Sequence, residues 1–155
     1  MKIIAYGIRD DEQPYLEQWS KDQGIEVKAV AELLDEQTVD LAKGYDGAVV
    51  YQQKPYTAAV LDQLAANGVT NLSLRNVGVD NVDADAVKRN GFKVTNVPAY
   101  LSAAIAELTV TQLMPMLRRT HTFDRKQAQG DLTWAPDIAD ELHQMTVGIV
   151  ATGRI

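Results

Sequence analysis

The sequence predicts an α/β protein whose first hundred residues form a parallel sheet covered by helices on both faces. Short runs rich in apolar residues alternate with stretches in which apolar residues recur at helical spacing. A single helix separates each run from the next. Because strands joined by one crossover helix lie parallel, with a right-handed connection, the repeat predicts a parallel sheet.

Five short runs are predicted as strands, since each is rich in apolar and β-branched residues and is bounded by glycine or polar residues. They cover residues 2–7, 25–30, 48–51, 71–74 and 92–96. Four alternating β-α pairs with a closing strand are typical of a flavodoxin-like five-stranded domain, which we place at residues 1–100.

The connecting helices are predicted from polar residues that can accept N-terminal amides and from glycines that stop a helix. The expected cap and stop pairs are Asp10 with Gly24, Asp35 with Gly44, and Thr57 with Gly68. A shorter helix over residues 83–90 is stopped by Gly91.

The pattern changes after Pro98, and residues 101–155 are predicted as linker helices followed by the start of a second domain. A long helix over 102–119 is expected to begin at a Ser102 cap and to kink at Pro115. A helix over 122–129 follows. Residues 146–150 resemble a buried strand that opens a new, incomplete βα unit.

Composition excludes several classes of function. The 155 residues include no cysteine, which removes disulfides and thiolate chemistry, and the net charge of −6 disfavours nucleic acid and anionic membranes. No apolar run approaches the roughly 18 residues of a membrane span. The first residues are too quickly polar for a secretory signal, so a cytoplasmic protein is expected. No spacing of ligand residues indicates a metal site.

Candidate ligand-binding residues follow the strands, because ligands of open α/β sheets bind beyond the carboxyl ends of the strands. Gly78 lets backbone N–H groups approach a ligand such as a carboxylate, although by itself such a glycine more often marks an ordinary strand-to-helix turn. Tyr51 and Tyr100 lie at the same edge and suit either a small polar substrate or plain packing. His121 and His143 are predicted to be surface residues.

Several motifs, in one order along the whole chain, resemble the NAD-dependent D-2-hydroxyacid dehydrogenases, and most closely their bacterial D-lactate dehydrogenase branch. The longest is SLRNVGVDNVD at residues 73–83. The others are VVYQQ at 49–53, TNVPAY at 95–100, AIAE at 104–107, WAP at 134–136 and TVG at 146–148.

The resemblance implies hydride transfer between NADH and a small 2-oxoacid or 2-hydroxyacid, in a homo-oligomer whose Rossmann domain is inserted into the flavodoxin-like domain. The implied substrate-binding residues are Tyr51, Val77, Gly78 and Tyr100. The implied NAD-binding residues, at the cofactor pyrophosphate, are Gly153, Arg154 and Ile155. The pattern G-x-G-x-x-G has only its second glycine here, because Ala151 holds the first position and the third lies past Ile155.

The catalytic arginine, histidine and glutamate of this family come from later in its NAD domain, and neither histidine here matches that position. We therefore expect an N-terminal fragment that is inactive alone. Leu101 and Ser102 stand where the family usually has Ser-Pro, and Pro115 falls within a helix used near the family's subunit interface.

Two other classes of function can be compared with this sequence. A non-catalytic carboxylate-binding or interaction module derived from the same family remains open. A phosphoacceptor signalling domain needs an aspartate at the end of the third strand, where this chain has Tyr51, Gln52 and Gln53. Asp46 precedes that strand and lies at the wrong edge, so this reading is set aside.

Overall fold

The structure is a computed structural model that describes residues 1–155. The chain divides into two compact units, Met1–Pro98 and Ala99–Ile155. The first unit contains the sheet and every buried residue of the chain, and the second contains helices and extended segments.

The first unit is built on a five-stranded parallel sheet, which confirms the predicted fold class. Its strands are β1 (Lys2–Ala5), β2 (Glu26–Ala29), β3 (Gly47–Val50), β4 (Asn71–Leu74) and β5 (Lys93–Thr95). The order across the sheet is β2-β1-β3-β4-β5, which is the flavodoxin-like order, and all four pairings are parallel.

The sheet register places the core on one face. Ile4 pairs with Ala48, Ala48 with Leu72, and Leu72 with Val94, so these four side chains lie in one row. Side chains alternate between faces along a strand, so residues two places apart share a face. Tyr6, Val50 and Leu74 therefore lie on the same face as this row, and all three are buried. The core cluster also includes Val60, Leu61 and Leu64, three buried residues of the helix over Ala58–Ala66.

The first helix, α1 (Gln13–Gln23), begins later than predicted. Its N-cap is Glu12 rather than Asp10, with no side-chain cap bond. Residues 9–12 form a turn in which the Glu12 carboxylate accepts the Arg9 amide at 3.0 Å. Pro14 in the first helical turn needs no N–H partner, which favours this start. Gly24 ends the helix with a φ of 64°, as predicted.

The predicted helix after Asp35 is wrong in extent, because only a short 3-10 helix forms, over Val39–Ala42. The Asp35 carboxylate accepts the amides of Gln37 and Thr38 at 2.9 and 3.1 Å. These local bonds give the backbone a turn in place of a longer helix.

The next two helices follow the prediction closely. Helix α2 (Ala58–Ala66) is capped by Thr57, whose hydroxyl accepts the Val60 amide at 3.4 Å. Helix α3 (Ala84–Arg89) is capped by Asp83, whose carboxylate accepts the Ala86 amide at 2.8 Å.

The second unit contains α4 (Ser102–Arg118), α5 (Thr120–Ala128) and a 3-10 turn at Leu142–Gln144. The N-cap of α4 is Leu101, so the expected Ser102 cap is wrong. Pro115 lies inside α4, which continues past it to Arg118. No residue of this unit is fully buried.

The predicted strand at residues 146–150 does not form, since these residues are not part of any sheet and are all exposed. A strand is defined by its hydrogen bonds to a neighbouring strand, and none is present in this unit. No helix of the chain combines the length and the apolar character that crossing a membrane requires.

Tyr6 is a buried titratable residue directly after β1, and it makes stability at high pH testable. Its hydroxyl donates to the Thr38 carbonyl at 3.0 Å. Burial, with added repulsion from the carboxylates of Asp35 and Asp40, raises the pKa of Tyr6 from 10.0 to about 12. A raised pKa means that its contribution to stability is full below pH 10 and is lost as pH rises towards 12.

We expect Tyr6→Phe to lower the free energy of unfolding by about 1 kcal/mol at neutral pH, through the lost hydrogen bond. The variant should also lose less stability than the parent between pH 10 and pH 12. Urea unfolding followed by circular dichroism at several pH values measures both effects. Parallel loss of stability in the two proteins across that interval would contradict this account.

Candidate functional site

Four loops of the first unit meet at the carboxyl edge of the sheet, where open α/β folds bind ligands. They follow β1, β3, β4 and β5, and they cover residues 6–12, 51–57, 75–83 and 96–98. Because β1, β3, β4 and β5 are neighbours in one parallel sheet, these loops leave the same edge side by side.

The loop after β4 is held through three successive carbonyls. The Asn76 carbonyl accepts the Val97 amide at 3.1 Å. The Val77 carbonyl accepts the Asn96 side-chain amide at 2.7 Å, and the Gly78 carbonyl accepts the side-chain amide of Asn76. These bonds fix the backbone of residues 76–78.

The amide groups of this same segment are free. Neither the Val77 N–H nor the Gly78 N–H has an acceptor anywhere in the chain. Both residues are exposed, Val77 by 46%. A Cβ at Gly78 would meet only Asp80 Oδ2, at an ordinary 3.7 Å. Two adjacent free amides on a fixed backbone suit an anionic oxygen, and nothing within the chain requires glycine there.

Arg75 contacts the loop that follows β1. Its Nη1 donates to Glu12 Oε1 at 2.8 Å, and its Nη2 donates to the carbonyls of Tyr6 at 3.2 Å and Gly7 at 2.8 Å. The guanidinium carbon also lies 5.5 Å from the ring centroid of Tyr51, on the loop after β3. One side chain therefore contacts two neighbouring loops while its own residue begins a third.

Gly7 permits this close arrangement. Its φ is 63°, and a Cβ there would lie 3.0 Å from Leu33 Cδ2 and 3.3 Å from the Tyr51 carbonyl oxygen. Both the backbone conformation and the space therefore require glycine.

Asn81 joins the loops after β3 and β4. Its side-chain amide donates to the carbonyls of Gln52 at 2.9 Å and Lys54 at 3.1 Å, and its carbonyl accepts the Tyr56 amide at 2.8 Å. The Tyr56 side chain is buried, which raises the pKa of its hydroxyl and keeps it protonated.

The buried side-chain atoms that lack a partner in the chain all belong to residues of these two loops. They are Gln52 Oε1, Tyr56 OH, Arg75 Nε and Asn76 Oδ1. Buried polar atoms are normally paired, by protein or by ordered water. All four of these unpaired buried atoms thus lie in loops at the carboxyl edge of the sheet.

The predicted substrate residues fall in both units. Tyr51, Val77 and Gly78 belong to the first unit and lie on adjacent loops of its carboxyl edge. Tyr51 is 41% exposed. Tyr100 belongs to the second unit, where it is half exposed just before α4.

The predicted cofactor residues Gly153, Arg154 and Ile155 lie in an exposed segment with no helix or strand. A pyrophosphate binds at the N-terminus of a helix, and these residues present none. Ala151, at the first glycine position of the fingerprint, has a φ of 66°. That left-handed conformation costs an alanine roughly 1–2 kcal/mol relative to its usual one.

Both histidines belong to the second unit. His121 is exposed, and the His143 side chain is 72% exposed. This confirms the surface position predicted for both, and Glu141 Oε2 lies 3.3 Å from His143 Nδ1. The pair is local and solvated.

Sequence analysis missed the residues that hold the site together. The sequence patterns did not single out Arg75, Glu12, Gly7, Asn81 or Asn96. Arg75 and Glu12 are 63 residues apart, so no local pattern joins them. The only available signal was position, because Arg75 and Asn81 follow the predicted strand at 71–74, while Gly7 and Asn96 end predicted strands.

Two glycine substitutions should separate structural need from a site left open. We expect Gly7→Ala to lower the free energy of unfolding by about 2 kcal/mol, through the left-handed backbone and the close contacts with Leu33 and Tyr51. Gly78→Ala should change it by no more than about 0.5 kcal/mol, because the added methyl group meets open space. Urea unfolding measures both. Equal losses would show that Gly78 is also required by the fold.

Comparison with known proteins gives one consistent result. Residues 3–152 match the family model described as the D-isomer specific 2-hydroxyacid dehydrogenase catalytic domain. The chain is 62% identical over 156 residues to the D-lactate dehydrogenase of Lactiplantibacillus pentosus, an alignment that covers 100% of this chain and 47% of that protein.

Solved structures agree with the sequence relatives. A D-2-hydroxyisocaproate dehydrogenase matches with a TM-score of 0.84 and 45% identity, over 99% of this chain and 47% of that one. The NAD-complexed D-isomer specific 2-hydroxyacid dehydrogenase of Lactobacillus delbrueckii ssp. bulgaricus matches with a TM-score of 0.76 and 36% identity, with the same coverage. The chain therefore spans about half the length of the relatives it matches.

Proposed function

Because the chain belongs to the D-isomer specific 2-hydroxyacid dehydrogenase family, we propose that its first unit binds the carboxylate of a small 2-oxoacid or D-2-hydroxyacid. The reaction proposed for the whole protein is the reversible reduction of pyruvate to D-lactate. The L. pentosus relative is named for D-lactate, and the identity to it extends over the full length of this chain.

The observation that carries the proposal is the pair of free amides at Val77 and Gly78. An N–H donor that bonds an anionic oxygen makes a stronger hydrogen bond than one between neutral groups. Here the carbonyls of residues 76–78 are already engaged, so the segment does not have to reorganise when a carboxylate binds.

Tyr51 and Tyr100 are each proposed as substrate-binding residues. The Tyr51 ring lies against the Arg75 guanidinium, and its remaining exposed surface is available to a substrate. A phenol ring at the edge of the site restricts the room for a long substrate side chain, which favours pyruvate over bulkier 2-oxoacids. For Tyr100 the support is the matching family position alone.

NAD is the cofactor we propose for the whole protein, and it would supply or accept the hydride. The support is family membership and the NAD-complexed relative. Gly153, Arg154 and Ile155 are assigned to its pyrophosphate on that ground. These residues offer no helix N-terminus and do not fit a pyrophosphate by themselves.

Reduction of a 2-oxoacid also needs a proton donor at the carbonyl oxygen. The first unit contains no histidine, and the two in the second unit are solvated side chains. We therefore expect the 155 residues to bind a carboxylate without turning it over. A non-catalytic carboxylate-binding module is the second candidate function, and it is favoured by the same absence of a positioned donor.

Pyruvate binding tests the proposal, with methyl pyruvate as the matched control that lacks the anionic carboxylate. By calorimetry we expect pyruvate to bind in roughly the millimolar range and methyl pyruvate at least about tenfold more weakly. Purified chain with NADH and pyruvate should oxidise no NADH. Equal affinity for the two ligands would refute carboxylate recognition. Clear turnover would show that a proton donor is present in these residues.

A further inference from the structure

We infer that Arg75 is a positioning residue of this site, which fixes the Tyr51 ring relative to the free amides of Val77 and Gly78. This inference rests on the proposed function, because it concerns the geometry of the same carboxylate site. Arg75 itself is not assigned a contact with the substrate.

The Arg75 guanidinium is held by several groups at once. Its two terminal nitrogens bond three acceptors of the loop after β1, namely Tyr6 O, Gly7 O and Glu12 Oε1. Glu12 is itself held, because its other carboxylate oxygen accepts the Arg9 amide. The guanidinium plane is thereby fixed against a turn that is already closed.

The Arg75 guanidinium also lies over the aromatic ring of Tyr51. The ring centroid lies 5.5 Å from the guanidinium carbon, within range of a cation–π contact. The Arg75 amide also donates to the Val50 carbonyl at 2.9 Å, immediately before Tyr51. A fixed guanidinium plane therefore gives the Tyr51 ring one preferred orientation. Arg75, which carries this guanidinium, is two residues before Val77 in the chain.

The ammonium group of a lysine cannot replace the Arg75 guanidinium. The three acceptors and the aromatic face need a planar group with several donors in fixed directions, whereas lysine offers a point charge on a flexible stem. The Arg75 and Glu12 side chains are only 24% and 27% exposed, so solvent screens this pair less than it screens the exposed ion pairs of the chain.

Arg89 provides a matched control. Its guanidinium contacts both Asp62 carboxylate oxygens at 2.8 Å, between α3 and α2, with side chains 52% and 47% exposed. This is also a charged pair between elements, but it lies among the helices and not in the loops of the site. Arg89→Lys therefore controls for the general effect of replacing an ion-paired arginine away from the site.

The experiment compares Arg75→Lys with Arg89→Lys in the whole chain by NMR, without ligand. We expect Arg75→Lys to shift the ring protons of Tyr51 and the amide signals of Val77 and Gly78, and Arg89→Lys to leave all three unchanged. Glu12→Gln, which keeps an acceptor for Arg75, should preserve the parent signals, while Glu12→Ala should shift them as Arg75→Lys does. Unchanged signals in Arg75→Lys would overturn the inference.

Pyruvate affinity is measured for the same variants. Arg75→Lys should bind about tenfold more weakly and Arg89→Lys within about twofold of the parent. Equal affinity of Arg75→Lys and parent would overturn the inference even if the signals move. If the parent itself binds no pyruvate, the proposed function fails, and the ligand-free spectra still decide whether Arg75 orients Tyr51.

Discussion

The site depends on the way the backbone of residues 76–78 satisfies its own polar groups. All three carbonyls accept hydrogen bonds from the chain, while the amides of Val77 and Gly78 donate none. Backbone donors near a protein surface find a partner in water or in a ligand. Because the carbonyls already accept bonds from the chain, the two amides are the groups that we propose to meet an anion.

The rest of the edge can be understood as support for that segment. The sheet order makes the carboxyl ends of β1, β3, β4 and β5 neighbours, and side chains then join their loops in pairs. Arg75 joins the loops after β1 and β4, and Asn81 joins those after β3 and β4. Gly7 makes room for the first of these connections. Hydrogen bonds thus join these loops, and four buried polar atoms of the loops after β3 and β4 have no partner in the chain.

The sequence predicted those parts of the structure that depend on local pattern. The five strands, their parallel order, the Thr57 cap and the short helix that ends before Gly91 all follow from short-range rules. Asp10 and Asp35 failed because each lies beside a competing turn. The strand expected at residues 146–150 is absent because a strand needs a partner, which no local pattern supplies. The contacts of Arg75 join distant residues and needed the fold itself.

The most direct test of the central claim is a pyruvate titration of the whole chain, followed through every backbone amide signal by NMR. The account predicts that the amide protons of Val77 and Gly78 move furthest, and downfield, as they begin to donate to the carboxylate. The Val97 amide, already bonded to the Asn76 carbonyl, should move little. Largest shifts elsewhere in the chain, with Val77 and Gly78 unchanged, would contradict the account.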